Sequence, residues 1–153
     1  MQLRIQADFA PIAARLNRLS VQLGNLRPVM GGIGGILAES TAARIRESKT
    51  APDGSPWAEW TERTRAMRTR KDGTVSGSLL LQSGMQGGLL RTITYEASQD
   101  SVVVGSGKHY AAYLQQGTRR MVARPFLGLS AQDYRDIDEL LADFLSGAIG
   151  GTA

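Results

Sequence analysis

The chain has 153 residues, 42% of them apolar, a length that suits one domain and lets it bury roughly 70% of the surface its unfolded form exposes. Cysteine is absent and there is one histidine, which removes disulfide frameworks, thiolate nucleophiles, Cys-ligated zinc and most other metal chemistry. The net charge of +4 conceals a division, because residues 1–129 carry seventeen Lys or Arg against nine Asp or Glu while residues 130–153 carry one Arg against five acids; such asymmetry suits head-to-tail contact between copies and does not by itself indicate nucleic acid.

The opening MQLRIQADFA has no apolar run long enough for a signal peptide, and no segment approaches the ~20 apolar residues of a membrane span. The expectation is a soluble protein made in the cytoplasm, with no membrane partner. Leu3, Ile5 and Ala7 alternate with polar residues, as in a half-buried strand or an extended lead-in. Asp8 can cap a helix over about 8–26, in which Phe9, Ile12, Ala13, Leu16, Leu19, Leu23 and Leu26 form one stripe. Pro28 restarts the chain, and RPVMGGIGGILAESTAARIRES reads as a second helix with Ile33, Ile36 and Leu37 on its apolar side. Four glycines oppose that helix at roughly 1 kcal/mol each, so they mark either close packing or a late start. As a phosphate loop the run matches neither GxxxxGK[ST] nor GxGxxG in a strand-to-helix setting.

Residues 49–78 change character, with two Asp-Gly turns, prolines, and Arg63, Arg65, Arg68, Arg70 and Lys71 close together. This reads as a long basic connection. Both tryptophans, Trp57 and Trp60, lie in it, so part of it should pack on this chain or on a neighbour. Strand signals follow in LLLQSG (79–84), LLRTITYEA (89–97) and SVVVGS (101–106), the last two forming an antiparallel hairpin. YAAYLQQG predicts a short helix with Tyr110, Tyr113 and Leu114 on one face and Gly117 as its stop. Ser130 and Asp133 open a last helix with Tyr134, Ile137, Leu141, Phe144 and Leu145 as its stripe. Together these give one α+β domain over 1–148, with a central antiparallel sheet, a long N-terminal helix or helix pair and a C-terminal amphipathic helix, followed by a flexible tail over 149–153.

The chemistry-bearing residues form no known catalytic set. His109 as a base with Ser106 and Asp100 has the residue types of a hydrolase, yet no G-x-S-x-G elbow and no triad spacing. The acids of the last helix occupy several faces, as a solvated surface does. The basic run with its tryptophans could contact phosphates and stack on bases, but it belongs to no recognised DNA-binding motif. The expectation is a non-enzyme that needs no cofactor and no metal.

The order of motifs carries more than any one of them. An amphipathic helix is followed by P-D-G-x-P-W (Pro52 to Trp57), a basic loop, L-L-x-S-G (Leu80 to Gly84), a hairpin ending V-x-V-G-S (Val102 to Ser106), Y-A-x-Y-x-Q-x-G (Tyr110 to Gly117) and A-R-P-F-L-G-L-S (Ala123 to Ser130). This succession resembles the phage virion morphogenesis, or tail completion, family of Mu-like and other tailed phages and prophages, over roughly residues 9–146. The resemblance implies a structural virion protein at the head-proximal end of the tail or in the neck, where copies form a ring, a hexamer by analogy with related neck proteins. Such a ring completes the tail and lets it join the head. Its implied partners are further copies of itself, the tail tube or tail terminator protein, head-connector and neck proteins, and, non-specifically, the DNA passing through. The alternatives are a tail terminator capping the tube and, from another class, a basic DNA-binding accessory protein. A ring subunit shows its neighbours two different surfaces. The candidate interface residues are therefore the basic loop (Arg63, Arg65, Arg68, Arg70, Lys71), the aromatic and Arg residues Trp57, Trp60, Tyr113, Arg119, Arg120, Arg124 and Phe126, and the acids Asp136 and Glu139.

Overall fold

A computed structural model describes residues 10–81 and 88–150. The expected strand or lead-in at residues 2–7, the Asp8 cap, Phe9, and the Ser83-Gly84 part of the third motif lie outside the described residues.

α1 (Ala10–Leu23) buries Ile12 and Leu19 from the predicted stripe. It stops three residues earlier than its pattern suggests, since the chain turns at Gly24 and Leu26 already caps the next helix. There the Asn25 side chain accepts the Arg27 N–H at 3.0 Å. α2 (Arg27–Ala43) takes Pro28 in its first turn and buries Val29, Met30, Ile33 and Leu37. It runs on into a π-helical turn, Arg44–Ser48, which ends at Lys49 in a left-handed conformation.

The glycine run is the close-packing site that the helix required. α2 packs against the hairpin on one side and the last helix on the other. A Cβ at Gly34 would overlap the ring of Tyr95, and one at Gly32 would sit 2.8 Å from Leu140 Cδ2. Gly31 and Gly35 face open space. Two of the four glycines therefore set the spacing of α2 from its neighbours, and two carry only their helix-propensity cost.

The 49–78 connection is more ordered than its composition suggests. α3 (Glu62–Arg68) lies inside it, capped by Thr61, whose hydroxyl oxygen accepts the Thr64 N–H at 3.3 Å. The two Asp-Gly turns share one geometry: Asp53 accepts from the N–H and hydroxyl of Ser55, and Asp72 does the same for Thr74. Each closes a small bridge, Thr50 with Pro56 and Thr69 with Val75. These hydrogen bonds hold both carboxyls below the usual carboxylate range.

Among the described residues the expected central sheet is a two-stranded hairpin, β1 (Ile93–Ala97) with β2 (Val102–Ser106), antiparallel with Tyr95 opposite Val104. One strand signal gave other structure, and the 89–97 signal becomes strand only from Ile93. Leu79–Leu81 forms a tight turn with Leu80 at φ +59°, a conformation incompatible with a strand. Leu89–Thr92 is a 3₁₀ turn, because the Thr92 hydroxyl donates to the Leu89 carbonyl at 2.9 Å while Leu89 is buried. The fold is thus α+β, with a hairpin in place of a larger sheet.

α4 (Ala111–Gln116) ends at Gly117, where φ is +75° and any Cβ would lie 2.8 Å from the Ala123 nitrogen. The returning chain is the reason for that glycine. α5 (Ala131–Gly150) buries Ile137 and Leu141 and extends two residues into the stretch expected as a flexible tail. Its start is the predicted reciprocal cap: Ser130 donates N–H and O–H to Asp133 at 2.6 and 2.8 Å, and the Asp133 N–H returns to the Ser130 hydroxyl.

Candidate functional site

Residues of three of the motifs, far apart in sequence, converge at one junction. The C-terminal half of α2, the 50–57 turn, α4 and the start of α5 meet around Phe126, whose side chain is fully buried. Trp57 is buried as well, and its indole N–H donates to the Pro125 carbonyl at 2.8 Å. Arg124 reaches back to the carbonyls of Ala58 and Glu59 at 2.9 and 3.1 Å; burial lowers its pKa and the Glu59 charge opposes that. Gln115 grips the same extended segment with three bonds: its oxygen accepts the N–H groups of Phe126 and Leu127 at 3.0 Å each, and its amide donates to the Leu127 carbonyl at 2.9 Å. Pro52 closes over Gly128, where a Cβ would lie 2.6 Å from the proline ring.

A buried ion pair sits beneath this junction. Arg44 and Asp133 face each other at 3.4 Å with side chains 4% and 1% exposed. Arg44 also donates to the Phe126 carbonyl at 2.7 Å and to the Ser40 hydroxyl at 3.2 Å. Burial lowers the arginine's pKa, and Asp133 works against that by charge and hydrogen bond. Ser130 donates its N–H and O–H to the same Asp133 oxygen, Oδ2, and no buried side-chain polar atom among the described residues lacks a partner. The pair therefore has the satisfied geometry without which two buried charges are costly.

The candidate interface residues divide accordingly. Trp57, Arg124 and Phe126 are occupied within the subunit. Trp60 is half-buried beneath Arg68, whose guanidinium carbon lies 4.7 Å from the ring centroid, a stack worth about 0.5–1 kcal/mol. Arg63, Arg65, Arg70 and Lys71 are exposed and lie together on α3 and the turn after it. Tyr113 is 56% exposed, and Arg119 and Arg120 are exposed on the Thr118–Met121 turn. Glu139 is exposed on α5.

Asp136 lines an open groove of ≈ 740 Å³ between α2, the 50–54 turn and the start of α5. Glu39 and Glu47 share its rim, with Arg46 at 4.0 and 3.7 Å from them, and Ile36, Ala43, Ala51 and Pro52 are among its apolar lining. Sequence reasoning missed this groove along with Gln115 and the Arg44–Asp133 pair, because their partners lie 11 to 89 positions away. The one signal was Gln115 standing inside the fifth motif.

The hydrolase trio does not assemble as a relay. The Ser106 hydroxyl is bonded to that of Thr92 at 2.7 Å and accepts the Lys108 N–H, Asp100 accepts from Ser98 in the hairpin turn, and His109 is exposed edge-on to Tyr110.

Comparisons with known proteins agree with the motif order. The chain is 26% identical over 146 residues to "Mu-like prophage FluMu G protein 1" of Haemophilus influenzae, covering 95% of this chain and 97% of that protein. It is 36% identical over 102 residues to "Putative capsid assembly protein G" of Escherichia phage Mu, covering 65% of this chain and 62% of that one. No solved structure matches. Residues 7–146 match the phage virion morphogenesis family, so the junction, the basic arm and the groove all lie within the matched span, and the chain belongs to that family.

Proposed function

We propose that this chain is a non-enzymatic virion protein that acts at the head-proximal end of the tail, where copies form a six-fold ring that completes the tail and enables head-tail joining. The family match across residues 7–146 carries this reading. Two features of the subunit support it. Trp57, Gln115, Arg124 and Phe126 are consumed in holding the junction together, and the exposed charge is split between a basic arm and an acidic groove, the unlike surfaces that a heterologous ring needs. Its neighbours along the tail axis would be the tail tube or terminator protein and the head-connector proteins.

A stop codon in the gene of the parent phage or prophage tests this by electron microscopy of the lysate. The expected result is filled heads beside tails of normal length, left unjoined until purified protein is added. Joined, infectious particles made without the protein refute the completion role, and tails of uncontrolled length assign it to a terminator capping the tube. The exposed cations at 63–71 favour the DNA-binding alternative; sub-micromolar affinity for random duplex, lost steeply as salt rises, would establish it.

A further inference from the structure

α3 is seven residues long and buries none of them. A helix of this length is not stable on its own in water, and here it is held locally, by the Thr61 cap, the Arg68–Trp60 stack and the Asp72 turn. Such an element is built to present a surface. Among its exposed cations stands Met67, 80% exposed. A thioether contributes nothing to gripping phosphates, but it fills irregular apolar surface on a protein. The groove offers the complementary pattern, with Ala43, Ala51 and Pro52 as apolar lining and Glu39, Glu47 and Asp136 as acids that outnumber the Arg46 beside them, while Arg44 in the lining is paired with Asp133; no residue of 61–77 from the same chain lines it. The arm helix is about 10 Å long, short enough to enter an open groove end-on or flat.

We propose that the α3 arm of one copy docks in the groove of the next, with Met67 against Ala43 and Pro52 and with Arg63, one turn before Met67 on the same helix face, at the Glu39 and Glu47 carboxylates. The contact joins two different surfaces of identical chains, so it repeats around a ring when the rotation closes. The inference rests on the ring reading for the presence of a neighbouring copy and adds which surfaces meet.

The chain contains no cysteine, so a disulfide can be placed at will. Full-length Met67→Cys and Ala43→Cys proteins, one of them tagged, are mixed at low ionic strength under mild oxidation. The mixed disulfide should form about tenfold faster than that between Met67→Cys and Val21→Cys, a control on the 88% exposed Val21 of α1. Charge reversal in the groove alone (E39K/E47K) or the arm alone (R63E) should weaken association about tenfold. The chain carrying both reversals should regain it, a rescue that damage to folding cannot produce. Equal cross-linking rates, or no rescue, overturn the docking. Copies that associate or enter particles without the Met67–Ala43 cross-link overturn it while leaving the ring intact, whereas the lysate experiment can fail with this cross-link still present. Reaction of Met67→Cys with a different virion protein in assembled particles, or protection of the arm by random duplex DNA, assigns the arm to that partner and also overturns the proposal.

Discussion

Gln115→Ala removes three hydrogen bonds at once from the extended segment that α4 otherwise holds through the Arg124 N–H on the Leu114 carbonyl. The side chain takes the N–H groups of Phe126 and Leu127 and gives its own N–H to Leu127, all at 2.9–3.0 Å. Each bond contributes about 0.5–1.5 kcal/mol net, and water can reach some of the freed groups, so the expected loss is about 2–4 kcal/mol. For a domain of this size that lowers Tm by about 6–12 °C. Urea unfolding gives the free energy, and amide exchange at Phe126 and Leu127 locates it, since those two N–H groups should lose protection before the rest of the core. Gln115→Glu keeps the acceptor but sets a negative charge against the Leu127 carbonyl. Its stability should recover as pH falls and the acid becomes a donor again. A Gln115→Ala cost below about 0.5 kcal/mol with unchanged exchange at both amides would refute the clamp.

Other outcomes follow from the same contacts. Gly34→Ala forces a methyl into the Tyr95 ring and should cost about 1–3 kcal/mol, while Gly35→Ala, facing open space, should gain about 0.5–1 kcal/mol from helix propensity; thermal melts of the pair check the contrast. Arg44→Met strands Asp133 as a buried charge and should cost about 3–5 kcal/mol, measurable by urea unfolding at neutral pH and reduced when Asp133→Asn is added. The Asp72 turn at the tip of the arm should loosen in acid. Its carboxyl is held below the ordinary value of 3.8 in the folded chain, so its contribution is complete above that value and is lost as pH falls through the lower folded one, readable by NMR at the Thr74 amide.

What the sequence made legible were features with a local cause. The α2 stripe, the Ser130–Asp133 cap, the hairpin and the two Asp-Gly turns each depend on residues within a few positions of one another, and each is found where its pattern lies. The glycine run was readable as close packing, though its partners Tyr95 and Leu140 were not. α3 was hidden because its only signal is the Thr61 cap in a stretch dominated by basic residues and turns. The acids of α5 beyond the Asp133 cap read as one solvated class, yet Asp136 faces the groove while Glu139 is exposed. That difference arises from residues near position 44, which no helical periodicity in α5 can report. Trp57 and Phe126 were expected at an interface on residue type alone; the junction uses both inside the subunit.

The junction also dictates when the chain can become a subunit. The base of the arm, at Trp57, Ala58 and Glu59, is anchored by the carbonyl of Pro125 and the guanidinium of Arg124, and one wall of the groove is supplied by α5. A nascent chain that has not yet emerged past α5 therefore lacks both surfaces at once, however well its first two helices have formed. These late, long-range closures make folding slow relative to a helical bundle of equal length, and under the proposed docking they would keep unfinished or truncated chains out of the assembly.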